Sequence, residues 1–168
     1  MSRRLAYADP PYPGQAWRYP GGREVNLPLL VAHLDTYDGW ALSTSAAALL
    51  DVWNMAPHAR AAIWAKTFAC NGWSRVRYTW EAVLFVTDHK GIAPGERSTV
   101  RDVLISPPDV VGAWKVAPGV GGGAKPHAFV RWLLALLDYA EGDTLEDLFP
   151  GSGAIERGVR YDQLELLT

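Results

Sequence analysis

Along the chain, short apolar stretches alternate with segments in which apolar residues recur every three or four positions. Residues 4–8 (Arg-Leu-Ala-Tyr-Ala) form the first stretch and predict a strand. It is halted by Asp9-Pro10-Pro11-Tyr12-Pro13-Gly14, where the prolines forbid both helix and ladder pairing and force a stiff, extended exit. Residues 14–24 carry glycine, arginine and aromatic side chains and read as a loop. Asn26 caps a predicted helix from Leu27 to about Tyr37, with Pro28 tolerated in its first turn. Trp40 to Thr44 reads as a strand and Ala46 to Trp53 as a helix. Arg60 to Lys66 and Val76 to Val86 read as two further strands, the second rich in aromatic and β-branched residues. Residues 88–124 carry many Gly and Pro and little periodicity.

The clearest helix spans Pro126 to Tyr139. Phe129, Trp132, Leu133, Leu136 and Leu137 fall on one apolar stripe, with Pro at the start. It leads through Glu141-Gly142-Asp143 to a strand over Thr144–Phe149 and then to Pro150-Gly151-Ser152-Gly153. Strands alternating with helices predict one α/β domain over residues 1–168, its sheet covered by helices on both faces.

Composition narrows the class. The chain has 168 residues, within the range of one domain and sufficient for a sizeable core. Apolar residues make up 49% and charged residues 20%, an ordinary globular balance. Eight Trp and seven Tyr leave aromatics to spare for stacking on flat ligands. A net charge of -2 argues against binding nucleic acid mainly through phosphate neutralisation. The modest basic clusters are Arg3 with Arg4, Arg18 with Arg23, and Arg75 with Arg77, besides Lys125. The single cysteine, Cys70, permits no internal disulfide and reads as a packing residue rather than a nucleophile. His33, His58, His89 and His127 lack metal-ligand spacing, so no metal is expected. No run reaches membrane-spanning length and no signal peptide is evident, so a cytoplasmic protein is expected.

Three features carry candidate chemistry. An exocyclic amine on a base is a poor nucleophile, because its lone pair is delocalised into the ring. A carboxylate and a rigid carbonyl that accept its two N–H bonds favour a more tetrahedral nitrogen; Asp9 and the Pro10 carbonyl are suited to this, and Tyr12 offers a face for a purine. Second, Asp147-Leu148-Phe149-Pro150-Gly151-Ser152-Gly153 runs a strand into a glycine turn whose amides suit an anionic group. Third, Lys125-Pro126 opens the amphipathic helix, joining a cation to a helix N-terminus. Taken singly, a proline turn accounts equally well for the first, an ordinary strand-to-helix turn serves for the second, and a solvated surface lysine is the simpler account of the third.

In this order, however, they resemble the amino-group DNA methyltransferases of the permuted, β-type arrangement, in which the catalytic motif precedes the cofactor motif. Trp40-Ala-Leu-Ser-Thr, Ile63-Trp64-Ala-Lys66 and Trp80-Glu81-Ala-Val-Leu-Phe also look like the adenosine N6-methyltransferase family that includes the eukaryotic mRNA enzymes. The resemblance covers most of residues 5–158. It implies a circularly permuted, Rossmann-like domain with a mixed, mostly parallel sheet, using S-adenosyl-L-methionine. Asp9, Pro10, Pro11 and Tyr12 would form the amino-group site. Asp147, Phe149, Gly151, Ser152 and Gly153 would line the methionine part of the cofactor, with Asp9 beside them, and Lys125 would contact its carboxylate. In that family, Asp rather than Ser before Pro-Pro favours adenine over cytosine as the acceptor, so the resemblance implies adenine.

The family usually continues beyond the glycine turn into a full helix and a second strand ending in a ribose-binding acid. Here fifteen residues follow Gly153, with Asp162 or Glu165 as candidates for that acid. No segment has the length of a separate recognition domain. Selectivity is therefore expected from loops 14–24 and 88–124, or from a second subunit or second copy. Trp17, Arg18, Tyr19 and Arg23 suit a flipped base and its phosphates. The reading is a compact DNA adenine N6-methyltransferase, similar in its economy to small phage-borne enzymes. The alternatives are an inactive, methyltransferase-like binding subunit and an RNA adenosine or DNA cytosine-N4 methyltransferase.

Overall fold

The computed structural model describes residues 2–19, 21–67, 75–87, 99–108 and 125–165, with the side chains of 18 and 161–165 outside that set. Its strands are β1 (Arg4–Ala8), β2 (Gly39–Ser45), β3 (Arg60–Ala65), β4 (Trp80–Val86), β5 (Val103–Ile105) and β6 (Thr144–Asp147). Its helices are α1 (Leu27–Leu34), α2 (Leu49–Met55), α3 (His127–Leu136) and α4 (Ala154–Glu165), with a 3-10 turn at Ala16–Arg18. The six strands form one sheet in the order β5-β3-β4-β2-β1-β6. Five run in one direction, and β4 runs against its neighbours β2 and β3. The α/β sheet predicted from the alternation forms, and it is mixed and mostly parallel as the resemblance implied.

Each strand sorts its side chains between two cores. Leu5 and Tyr7 of β1 face one side, with Ala41, Trp64, Val83 and Phe85, beneath α3 and Ile155 of α4. Ala6 and Ala8 face the other, with Trp40, Leu42 and Leu84, beneath Leu30, Val31 and Leu34 of α1 and Val52 of α2. The predicted stripe of α3 is buried throughout, from Phe129 to Leu137. Each such side chain contributes about 1.5–3 kcal/mol on removal from water.

Local chemistry moves several boundaries. Helix α1 begins where Asn26 Oδ1 accepts from the Leu29 amide (3.1 Å), but ends at Leu34 rather than Tyr37. The chain then turns through Asp35–Asp38 into β2. Ala46–Ala48 form a turn held by Ser45 Oγ accepting from the Ala48 amide (3.2 Å), which delays α2 to Leu49–Met55. Strand β4 starts at Trp80 rather than Val76, and α3 stops at Leu136. Strand β6 ends at Asp147 because its own carboxylate accepts from the Phe149 amide (3.1 Å) and turns the backbone. Within 88–124, which gave no periodic signal, residues 103–105 form the edge strand β5; 88–98 and 109–124 lie outside the described residues. No described helix is long and apolar enough to cross a membrane.

Two contacts fix the frame. Opposite the site, Asp143 accepts from the Arg3 amide (2.8 Å) and from the Arg3 guanidinium (2.7 Å), pinning β1 in register with β6. Burial alone would push the Asp143 carboxyl up, but the Arg3 bonds hold it below the usual carboxylate range. On the α3 face, Gly158 lets α4 approach so closely that a Cβ there would lie 2.7 Å from Val130 Cβ.

Two outcomes follow. Gly158→Ala should destabilise by about 1–3 kcal/mol through overpacking, despite its better helix propensity, as read by urea unfolding. Asp143 has a depressed folded pKa, so its contribution is complete above the unfolded value of about 3.9 and lost as pH falls through the lower folded value. The acid-unfolding curve of Asp143→Asn should lack that component.

Candidate functional site

In a sheet of this kind, ligands sit beyond the carboxyl ends of the parallel strands. Strand β1 lies between β2 and β6, with Tyr7 opposite Asp147 and Ala8 opposite Leu42. The Asp9-Pro10-Pro11-Tyr12 segment and the glycine turn therefore leave the sheet side by side. The Leu148 amide donates to the Tyr7 carbonyl (2.9 Å), carrying that adjacency one residue past β6.

Strand β4 brings a further residue to this rim. Because it runs backwards, its first residues meet the last residues of its neighbours: Glu81 pairs with Ser45, and Trp80 with Ala65. Here the structure assembles a chain of four charges. Lys125 Nζ lies 3.1 Å from Asp9 Oδ2 and donates to Glu81 Oε2 at 2.7 Å. Lys66 donates to the other Glu81 oxygen. The side chains of Lys66, Glu81 and Lys125 are 13%, 14% and 10% exposed, and that of Asp9 30%. Both ammonium groups sit over the Trp64 ring, Lys66 at 4.9 Å and Lys125 at 5.2 Å, and Lys125 also sits 5.1 Å from Phe129. Trp64 is held by its own N–H, which donates to the Ser106 carbonyl and hydroxyl.

The electrostatics follow from this closeness. Burial pushes the Asp9 carboxyl up, with Lys125 opposing and Glu81 reinforcing the rise. Burial also acts to raise Glu81, but the two lysines prevail and hold it at about 2. Burial acts to lower Lys125, and the Asp9 and Glu81 carboxylates overcome it, so the ammonium stays charged. Asp147 is raised by burial and by the Asp9 charge. Burial keeps Tyr7 and Tyr12 phenolic.

The predicted residues divide as follows. Asp9, Lys125 and Asp147 feel one another's charge. Pro10 is buried, Pro11 and Tyr12 half-buried. Among the described residues, no hydrogen bond reaches the Pro10 carbonyl. Lys125 is not a solvated lysine but an ammonium shared between two carboxylates, so any ligand carboxylate would compete with them for it. Phe149 packs at the edge of the α1–α2 core. Gly151 has room around it, Gly153 adopts a left-handed φ of +69°, and Ser152 accepts from Arg157 through its carbonyl (2.8 Å). The Ser152 and Gly153 amides make no backbone hydrogen bond among the described residues. They precede α4, where an anionic group is favoured.

Loop 14–24 is partly structured: Ala16 is buried, and the 3-10 turn presents Trp17 at 71% and Tyr19 at 39% exposure, with Arg23 also exposed. The side chains of Arg18, Asp162 and Glu165, and all of Cys70 and His89, lie outside the described residues. His58 pairs with Asp35 (3.0 Å), and His33 meets the Tyr37 ring edge-on. Among the described residues, no three His, Cys, Asp or Glu gather as metal ligands. Sequence reasoning assigned no role to Glu81, Lys66 or Trp64. The available signal was a charge at each of two facing strand ends, Lys66 and Glu81, beside otherwise apolar runs.

Lys125→Met would leave Asp9 and Glu81 facing each other without the shared cation. We expect destabilisation by about 3–5 kcal/mol at pH 7, measured by urea unfolding. The loss should shrink as pH falls and Asp9, already raised, takes up a proton.

No protein-family model and no curated protein matches the chain. Among solved structures it is similar to the M1.HpyAVI–SAM complex, with a TM-score of 0.62 at 15% identity, covering 96% of this chain and 78% of that one. It is similar to M1.HpyAVI alone, with a TM-score of 0.60 at 15% identity, over 96% and 77% of the two chains. At this identity the likeness shows a shared fold, and it takes in nearly the whole chain.

Proposed function

We propose that this protein transfers a methyl group from S-adenosylmethionine to the exocyclic N6 amino group of adenine in DNA. The observation that carries the reading is that Asp9-Pro10 and the segment leading into the glycine turn leave the neighbouring ends of β1 and β6 side by side. The fold is shared with a protein solved in complex with SAM, which supports the choice of cofactor.

The residues present fit such a cofactor. The uncommitted Ser152 and Gly153 amides suit a carboxylate, and the paired acids Asp9 and Asp147 favour a cation at the rim. In this reading Lys125, Asp147, Phe149, Gly151, Ser152 and Gly153 hold the methionine part, with Asp9 alongside. When bound, the cofactor supplies an electrophilic methyl group. All else is the work of this chain. Asp9 and the Pro10 carbonyl accept the two amine N–H bonds and localise the nitrogen lone pair. Pro10 and Pro11 keep that carbonyl rigid. Positioning of this kind supplies much of the acceleration of an in-line displacement. A carboxyl held above its usual range is also better able to hold the proton that the amine releases. Tyr12 offers a ring to the purine, and Trp17, Arg18, Tyr19 and Arg23 hold the extruded base and its backbone. The motif order is that of the permuted arrangement, with the amino-group segment ahead of the glycine turn. Target choice comes from the loops or from a partner subunit.

Mass spectrometry of nucleosides from DNA of cells making the protein tests this. N6-methyladenine is expected with the wild type and reduced at least about 100-fold with an Asp9→Ala protein shown by circular dichroism to remain folded. Methylated cytosine would reassign the acceptor. No methylated base, together with no binding of S-adenosylhomocysteine, would favour an inactive binding subunit.

A further inference from the structure

The function proposed above uses Asp9 but leaves the rest of the charge chain unexplained. We propose that Glu81 is a positioning residue for Asp9: by taking the nearer share of Lys125, it keeps one Asp9 oxygen available to the substrate amine. This rests on the methyl-transfer reading of the site.

The geometry is asymmetric. Lys125 Nζ is closer to Glu81 (2.7 Å) than to Asp9, which it approaches through Oδ2 (3.1 Å). Among the described residues, Asp9 Oδ1 receives no hydrogen bond. Lys66 occupies the other Glu81 oxygen, so Glu81 is anchored from both sides. Its backbone is fixed as well, between Ser45 of β2 and Trp64 of β3. The Trp64 and Phe129 rings wall the Lys125 ammonium in, so it cannot simply swing to solvent. Without Glu81, the same ammonium has Asp9 as its nearest carboxylate. A carboxylate neutralised by a full ion pair is a weaker acceptor for an amine N–H. Glu81 thus restrains the cation and leaves Asp9 charged but incompletely paired.

The groups facing Asp9 come from every element around it: Tyr7 from β1, Tyr12 from the proline segment, Lys125 ahead of α3, Glu81 from β4, Lys66 after β3 and Asp147 from β6. Two of these effects act together when Glu81 is neutralised. A nearby negative charge is lost, and Lys125 turns wholly to Asp9. Both favour ionised Asp9, so its titration moves to lower pH.

The test is Glu81→Gln, with the double variant Lys66→Met/Glu81→Gln as a charge-balanced control should the single variant fold poorly. Asp9 is followed by carbon NMR of labelled aspartate, assigned with Asp9→Asn, an arm that needs no turnover. We expect the Asp9 titration to fall by about one pH unit, a tenfold change in its acid dissociation constant. The acid limb of kcat/KM on adenine-containing DNA should move down with it, while the plateau rate drops about 10–100-fold. Wild-type activity with an unmoved Asp9 titration and acid limb in both variants would overturn the proposal and leave the methyltransferase reading intact. A wild type that methylates no DNA and binds no S-adenosylhomocysteine would overturn the methyltransferase reading, and with it any role for Glu81 in the reaction.

Discussion

A buried ammonium must be matched by charge, and the working rim of this sheet is arranged around that of Lys125. Taking a single ion out of water costs several kcal/mol, so an unpaired lysine here would lose its proton or unfold its surroundings. Two carboxylates and a second lysine answer the demand, giving a chain of alternating sign from Lys66 through Glu81 and Lys125 to Asp9. Four separate parts of the sequence contribute, one to each link. Aromatic walls keep the chain dry enough for its charges to act strongly on one another. The rest of the fold brings these four groups to one place.

The architecture was legible because its causes are local and repetitive. The stripe of α3, the apolar run of β1 and the proline stop after Ala8 each follow from residues close in sequence. Boundaries were less so. Helix α2 starts late because Ser45 caps a turn, and β6 stops early because Asp147 bonds the Phe149 amide. Both are side-chain bonds that compete with regular structure, and hydrophobic periodicity is blind to them. Strand β5 escaped notice for another reason. Three residues with Val103 and Ile105 exposed carry almost no burial pattern, and the strand exists because β3 offers it an edge.

The site was half legible. Asp9-Pro10-Pro11-Tyr12 and the glycine turn are contiguous motifs whose backbone chemistry shows in the letters themselves. That they leave the sheet side by side depended on β6 adding beside β1, which the order of motifs implied but no single residue could reveal. Glu81 is of the other kind. Its place depends on β4 running antiparallel, so that the beginning of one strand meets the ends of the others. Strand direction is a property of the assembled sheet and leaves little trace in a seven-residue stretch. Lys125 was noticed, but as a lysine beside a helix rather than as a cation already committed to two acids.

The pairing of β1 with β6 also has a bearing on biosynthesis. The Arg3–Asp143 bond spans 140 residues, and Arg4 waits as long for Thr144. At about 5–20 residues per second, roughly 7–28 s separate the emergence of these partners from the ribosome. Through that interval β1 has an unprotected flank, with Leu5 and Tyr7 still awaiting their cover from the late helices. The β1–β6 edge of the charged rim therefore cannot assemble until translation has passed Asp147.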